Sequence, residues 1–364
     1  MNLEQRTLGS FGARTAQALA SRAWSFLAPF VGLLVVLSVI QTYHLIWKPD
    51  NPFLKTHQLQ LIAKQTAIVG VGALGMTVII VSGGIDLSAG SMIALTSVLL
   101  AVLLRREVPA CLDDYPRIAA SWQALALDRL PVTLAVFFVL LAGAAAGALN
   151  GVLITGLRLV PFIVTLGAML IYRGMAEWLA DQKKVMVVGD HVPDWLTTLL
   201  DAPTSPWQLV CYGVWIVVLL GILLAAVMRY TVFGRYVFAI GSNEPTARLC
   251  GIHVPRMKIA IYALGGVFMA LAGIFDFNNL SAQGNPTSGE GLELDMIAAV
   301  VIGGGSLSGG RGSILGSIIG ALTMTTLRSG CVYAGMSNPV QKLLIGAIII
   351  AAVAIDQGLH RGRK

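Results

Sequence analysis

The sequence predicts an all-α integral membrane protein of about ten transmembrane helices, and three observations carry that reading. The first is composition: 56% of the 364 residues are hydrophobic, a further 40 are glycine and only 12% are charged, half the roughly 25% charged share of soluble domains. With a mean hydropathy of +0.78, the chain has too little polar surface for a water-soluble globule and too many apolar residues to stay disordered. The second is that the apolar residues gather into ten long runs, most near the ~20 residues a helix needs to cross a ~30 Å hydrocarbon core. The third is that these runs are continuous and lack strict in/out alternation, so helices rather than barrel strands satisfy their backbone groups.

In chain order the runs are 26–46, 60–82, 86–104, 131–157, 160–180, 209–228, 259–280, 293–305, 313–330 and 340–357. The first follows a 25-residue segment with scattered arginines and no secretory cleavage pattern, and is read as a retained span. The second and third are separated by a glycine pair, Gly83 and Gly84, with Asp86 where the third begins. The fourth contains the small-residue tract Ala142–Gly151, which lets helix backbones approach closely. The fifth carries Arg173 and Glu177, four apart and so on one face, near the outer interface, where the expected behaviour is pairing and snorkelling. The sixth and seventh flank a polar loop. The eighth is short and runs into the glycine-rich stretch 302–313, so it is expected to be broken or re-entrant. The ninth opens on a second small-residue tract, Gly312–Ala321, and the tenth leads to a basic tail. The organisation is therefore a segment 1–25, a membrane domain 26–358 and a tail 359–364.

Lysine and arginine counts orient the spans. With both termini inside, the cytoplasmic segments hold thirteen of the 25 basic residues and the outer loops eight, a bias that favours a multi-pass protein with cytoplasmic ends. The net charge of +7 and pI near 9.4 follow from these loops and imply no nucleic-acid partner. Cys111, Cys211, Cys250 and Cys331 have no C-x-x-C spacing, which argues against a metal site. Cys111 and Cys331 fall on the outside, and the sequence does not pair them.

Two outer loops are long, 105–130 and 181–208, the latter with Pro193, Pro203, Pro206, Trp195 and Trp207; each has room for a short interfacial helix or a docking surface. One inner loop is substantial, 229–258. It is too small to hold a nucleotide-binding domain, and no G-x-x-x-x-G-K-[ST] phosphate loop occurs in the chain, so any ATP that powers the protein must bind a partner. Within that loop Ser242 or Asn243 can cap a helix, Glu244 and Pro245 suit its first turn and Gly251 its end. The product is a helix of about two turns, with Ala247 small enough to pack against another protein. It serves equally as an element that transmits a push and as an amphipathic helix at the lipid surface.

Two passages echo each other, Val81-Ser-Gly-Gly-Ile-Asp-Leu-Ser-Ala-Gly-Ser and Ile302-Gly-Gly-Gly-Ser-Leu-Ser-Gly-Gly-Arg-Gly-Ser. Both end an apolar run, contain Leu-Ser followed by glycine and break a helix at the inner side, with Gly83, Gly84, Asp86, Ser88, Gly303, Gly304 and Ser308 as candidate structural positions. The echo is compatible with an internal repeat and with close packing alone. Asp86 is expected to cap a helix. Asp276, Asn278, Asn279, Glu290, Glu293 and Asp295 can line an outer vestibule, and Asn150, Thr165, Asn278 and Gln283 are polar candidates to line a pathway. No deep paired carboxylates of the kind a proton-coupled carrier uses are evident, nor any nucleophile–histidine pair or dinucleotide fingerprint.

Four motifs in order, Gly83-Gly-Ile-Asp-Leu-Ser-Ala-Gly-Ser, Leu149-Asn-Gly-Val-Leu-Ile with Val160-Pro-Phe-Ile-Val-Thr-Leu-Gly, Phe233-Gly-Arg through Ala247-Arg-Leu-Cys-Gly-Ile, and Leu294-Asp-Met-Ile-Ala-Ala-Val-Val-Ile-Gly-Gly-Gly-Ser-Leu-Ser-Gly-Gly, resemble the monosaccharide permeases of bacterial ABC importers, the ribose type above all. The likeness spans about residues 60–357. It implies the architecture of type II ABC importers: a homodimer of roughly ten-helix subunits around a central pathway in the bacterial inner membrane. It also implies ATPase subunits on the cytoplasmic face, which hold the ATP and magnesium, no cofactor on this chain, and a periplasmic or extracellular sugar-binding protein outside. The family's coupling helix maps onto 242–251, with Asn243, Glu244, Ala247, Arg248 and Gly251 at its positions. The segment 1–25 and the loop 105–130 are longer than in ribose-type members, and 181–208 is distinctive; these bear on substrate and partner choice. The alternatives are a branched-chain amino acid permease of the same superfamily, a secondary carrier and a membrane enzyme.

Overall fold

The structure, a computed structural model, describes residues 27, 29–46, 53–105, 107, 109–112, 116, 119–120, 130–187, 192–201 and 210–361. The segment 1–25, most of the outer loop 105–130, Pro203, Pro206 and Trp207 of the second outer loop, and the last three residues of the basic tail lie outside the described residues.

Helix α1 is Pro29–Ile46. It is followed by α2 Thr56–Val81, α3 Ala89–Arg105, α4 Val132–Gly156, α5 Pro161–Leu179, the short α6 Asp194–Thr197, α7 Tyr212–Tyr230, α8 Val232–Ser242, α9 Glu244–Leu249, α10 Val254–Asn279, α11 Leu292–Ile302, α12 Ile314–Tyr333 and α13 Asn338–Arg361. Each of the ten predicted runs coincides with one of these helices. Seven are long and apolar enough to cross a membrane by themselves. α3 is shorter, 17 residues, because Gly83–Ser88 form a turn that the sequence reading had partly placed inside the helix. α11 has 11 residues, about 16 Å of helix against a ~30 Å core, so the eighth span is the broken segment its glycines announced.

The centre is α2, whose residues from Ala67 to Val81 are all buried. α10 packs most extensively on α4 and also contacts α2 and α3, while α12 contacts α2 and α11. The α4–α10 contact is a seam of small residues in antiparallel register. A methyl group at Gly143 would lie 2.5 Å from the Gly266 carbonyl oxygen, one at Gly147 would overlap the Tyr262 carbonyl, and one at Gly151 would lie 2.6 Å from the Ile259 Cα. Steps of four on α4 thus meet matching steps on α10, and the backbones touch where larger residues would hold them apart. The tract Ala142–Gly151 signalled one side of this seam; the α10 glycines of the other side carry no comparable tract.

α1, α4, α5 and α7 turn Leu34, Phe137, Leu170 and Ile222 outward. Such a continuous apolar surface is solvated by lipid rather than water. α6 is the short helix expected in loop 181–208, with Trp195 on it beside Tyr212 and Trp215 of α7, aromatics of the interfacial type. One feature is additional to an all-α expectation: β1, Val185–Met186, pairs antiparallel with β2, Gln283–Gly284. This two-residue ladder ties two outer loops together and leaves the fold class unchanged. Cys211, Cys250 and Cys331 are free thiols.

Candidate functional site

The inner loop folds into α8 and α9. Thr231 caps α8, its Oγ1 accepting from the Gly234 N–H at 3.3 Å. Asn243 then ends α8 and caps α9, its Oδ1 accepting from the Thr246 N–H at 2.9 Å; of the two predicted capping residues, Asn243 does the work because its extended backbone turns the chain. α9 is six residues long, shorter than the two turns expected. It closes with Gly251 in the left-handed region at φ +82°. There the Gly251 N–H donates to the Arg248 carbonyl and the Ile252 N–H to the Ala247 carbonyl, both at 3.1 Å, the paired bonds of a Schellman ending.

Glu244 anchors this helix. Its Oε2 receives Lys258 Nζ at 2.7 Å and its Oε1 receives Arg248 Nη2 at 3.1 Å. Partial burial pushes the Glu244 carboxyl up, but the hydrogen bond and charge of Lys258, with Arg248 behind them, outweigh burial and hold it below its ordinary value. Because the folded value is depressed, the anchor's contribution is present above the ordinary carboxylate range and is lost only as pH falls through the lowered value. Ala247 is placed differently from expectation. It is 4% exposed and packs with Ile240 and Val254 of its own chain, so its small size fits α9 onto α8 and α10 rather than onto a partner. The apolar side chain that α9 presents outward is Leu249, 88% exposed. No sequence pattern singled it out, since a helix this short has no periodicity to read.

Directly behind α8 lies a node of glycines. Gly310 donates its N–H to the Val81 carbonyl at 2.8 Å. A methyl at Gly241 would overlap that carbonyl and lie 2.6 Å from the Gly310 nitrogen; one at Gly309 would lie 2.7 Å from the Gly241 oxygen and 2.9 Å from the Gly83 Cα. The two echoing glycine passages therefore meet each other and the end of α8 at one point. Gly303 sits against Gly316 at the start of α12, Gly84 faces the Tyr262 hydroxyl, and Gly304 lies in the left-handed region. Ser308 is exposed on the 303–310 turn. The sequence showed both passages; their juxtaposition is a tertiary fact.

Asp86 organises the neighbouring turn. Its Oδ1 accepts from the Ser88 N–H at 2.8 Å and the Ser88 hydroxyl at 2.6 Å. Ser88, not Asp86, precedes the first residue of α3, and its carbonyl accepts the Met92 N–H, so Asp86 positions the capping residue instead of capping the helix itself. Asn150 Nδ2 donates to Ser88 Oγ and the Tyr172 hydroxyl to Asn150 Oδ1, both at 2.9 Å. The network joins the start of α3 to α4 and α5.

The four predicted pathway residues are not brought together. Asn150 is fully buried within the Asp86 network. Thr165 is also fully buried and donates to the Pro161 carbonyl at 3.0 Å. Asn278 donates to the Leu196 carbonyl, and to that of Thr197 at 2.6 Å, and accepts from the Leu200 N–H at 3.1 Å, fastening α10 to α6. Gln283 lies in β2 opposite Met186. Half-buried Arg173 donates to the carbonyls of Pro286 and Ser288, in the loop between α10 and α11, at 2.5 and 2.7 Å. Among the described residues no group of three or more His, Cys, Asp or Glu is placed to hold a metal ion.

Residues 58–353 match a family model described as the branched-chain amino acid transport system permease component. The chain is 35% identical over 334 residues to the ribose import permease protein of Escherichia coli strain K12, covering 90% of this chain and 92% of that one. It is 36% identical over 335 residues to the ribose import permease protein of Bacillus subtilis strain 168, covering 91% and 92%. The fructose import permease protein of Rhizobium meliloti is 35% identical over 333 residues, covering 90% and 85%. No solved structure matches the chain.

Proposed function

The chain belongs to the family of branched-chain amino acid transport system permease components, and from that premise we propose that it is the membrane subunit of an ATP-driven ABC importer that moves a monosaccharide into the cell. The observation that carries this reading is the near full-length likeness to import permeases for ribose and fructose. The chain is a transporter component rather than an enzyme, a multi-pass protein of the inner membrane. ATP and magnesium are held by the ATPase partner, and a sugar-binding protein delivers substrate outside. Two copies of the chain form the permease.

In this reading α9 is the docking element for the ATPase, on the cytoplasmic side with both termini. Asn243 and Gly251 fix its ends, Glu244 ties it to Lys258 of α10, and Leu249 enters a partner groove. Closure of the ATPase pair displaces α9. The Gly241–Ser242 end of α8, seated on Val81 and Gly310, passes that displacement to the inner ends of α2 and of the α11–α12 turn, and access to the pathway switches sides.

The test is uptake of labelled ribose, fructose and galactose by proteoliposomes holding the chain with its ATPase and receptor. ATP-dependent uptake of one sugar is expected; uptake that persists with the ATPase left out would sink the importer reading in favour of a secondary carrier. Glu244→Arg sets three cations side by side and removes the anchor of α9. It is expected to insert normally but to lose ATP-driven uptake to background, and normal uptake by that variant would refute the coupling role. Cys250, exposed beside α9, is expected to react with an impermeant thiol reagent in inside-out vesicles and not in intact cells; the reverse pattern would overturn the orientation.

A further inference from the structure

Three span ends meet beside α9: the end of α4 at Gly156, the start of α5 at Pro161 and the start of α10 at Val254. Between them and α9 lies a pocket of about 460 Å³, within the roughly 300–1,000 Å³ of small-molecule sites. Because membrane helices begin and end here, the pocket sits at the boundary between bilayer and water rather than inside the bundle.

Its charged lining is one-sided. Arg158, Arg248 and Lys258 share the pocket with a single carboxylate, Glu244. That carboxylate is already divided between Lys258 at 2.7 Å and Arg248 at 3.1 Å, and Arg158 has no counter-ion among the described residues. Three cations against one anion leave two positive charges uncompensated. Two of the three spans, α5 and α10, begin here, and the start of a helix is the end that favours an anion; only α4 brings its carbonyl end.

The rim shows what kind of anion belongs there. Leu157, Leu159 and Val160, on either side of Arg158, are all exposed, and Ile154 and Leu159 form part of the pocket wall itself. Further along the same two helices Val152 and Ile163 are also exposed, so apolar surface leads from the pocket onto the lipid-facing sides of α4 and α5. A small soluble anion gains nothing from that surface, whereas a phospholipid lays its acyl chains on it. Basic pockets between membrane helices are where anionic headgroups lodge. Leu249, the outward side chain of α9, is not among the residues that line the pocket, so an occupant here leaves it uncovered.

We infer that this pocket holds the phosphodiester headgroup of an anionic phospholipid, with its acyl chains along α4 and α5, and that the headgroup bridges Arg158 of the α4–α5 turn to Arg248 of α9 and steadies α9 against the membrane. The inference goes beyond the importer reading: it needs the chain to lie in a bilayer and does not depend on the solute carried.

The test is binding of phosphatidylglycerol and of phosphatidylcholine with the same acyl chains, counted by native mass spectrometry on the full-length chain alone and with its ATPase bound. The unaltered chain is expected to bind phosphatidylglycerol about tenfold or more tightly than phosphatidylcholine in both forms. Arg158→Gln and Arg248→Gln each remove one basic residue from the headgroup and are expected to weaken phosphatidylglycerol binding about fivefold. Arg158→Lys, which keeps the charge, is expected to retain most of the affinity, and Arg229→Gln, outside the pocket, all of it. Should Arg158→Gln fail to accumulate, Arg248→Gln decides. Equal binding of the two lipids by the unaltered chain, or undiminished phosphatidylglycerol binding by both glutamine variants, would overturn the site. Displacement of the lipid by inorganic phosphate would make it a plain anion site, and loss of the lipid only when the ATPase is bound would assign the pocket to an acidic side chain of that partner; either result removes the lipid. A chain that takes up no sugar but keeps the lipid preference would leave this inference standing while the importer reading fell.

Discussion

Gly241→Val is expected to abolish ATP-driven uptake while the chain still reaches the membrane. Gly241 ends α8, and the space its side chain would need is filled by the Val81 carbonyl and the Gly310 nitrogen. Neither is a flexible side-chain tip: both are backbone, and they are joined by the 2.8 Å bond from the Gly310 N–H to the Val81 oxygen. A β-branched side chain must therefore push α8 off the node, break that bond or both. In an isolated helix, replacing glycine by alanine is favourable by about 1 kcal/mol, so even Gly241→Ala isolates packing from propensity: local propensity predicts a gain, the node a loss. Overpacking of this type costs roughly 1–3 kcal/mol or more, and here it is concentrated on the joint between α8 and the spans. Uptake and ATP hydrolysis should be measured together on Gly241→Ala and Gly241→Val, with a graded loss of uptake expected. Uptake by the valine variant equal to the unaltered chain would remove the node from the transmission path.

Gly266→Leu is expected to have the larger effect on the fold itself. Added atoms at 266 overlap the Gly143 carbonyl, and the Gly147 nitrogen lies 3.1 Å away, so α10 and α4 must separate along the contact that α10 makes most extensively. Association between membrane helices depends on close van der Waals approach, since lipid is as apolar as the side chains. Separating them forfeits that approach along the whole seam. A folded domain has only about 5–15 kcal/mol in hand, and a loss of several kcal/mol on its most heavily packed helix should leave little monodisperse protein in detergent. Gly167→Leu is the control. Gly167 lies in α5 with nothing within 4 Å of where a Cβ would sit, and it is expected to be tolerated. Size-exclusion profiles and thermal stability of the two variants decide the matter; equal behaviour would mean that the seam is not what holds α10 in place.

The membrane class, the positions of the ten runs and the broken eighth span were legible in the sequence, as were the turn at Gly251 and, to within one residue, the cap at Ser242 or Asn243. Each is local or compositional: hydropathy summed over a window, a short polar side chain before a helix, a glycine at a left-handed ending. The candidate site was legible only in part. Glu244 stood out as a first-turn residue and Arg248 through the family resemblance, but Lys258 is fourteen residues from Glu244, and only the fold of α9 onto α10 makes it the counter-ion. Ala247 was read as facing outward because its size allows it, and burial put Leu249 there instead. Asn150 and Thr165, polar residues inside spans, looked like pathway contacts, yet their hydrogen bonds close within the bundle. A polar side chain in an apolar helix announces that it has a partner, not who the partner is.

Sequence alone thus determined what this chain is made to sit in and where its apolar runs lie, because transfer of apolar residues out of water is nearly additive along the chain and needs no knowledge of neighbours. The tertiary structure alone decided which polar residues are spent on structure, and it alone joined Gly83, Gly241 and Gly310, residues far apart in the chain, into one backbone contact. Those outcomes depend on distance and on competition among partners for the same donor or acceptor, and neither is written in the order of the residues.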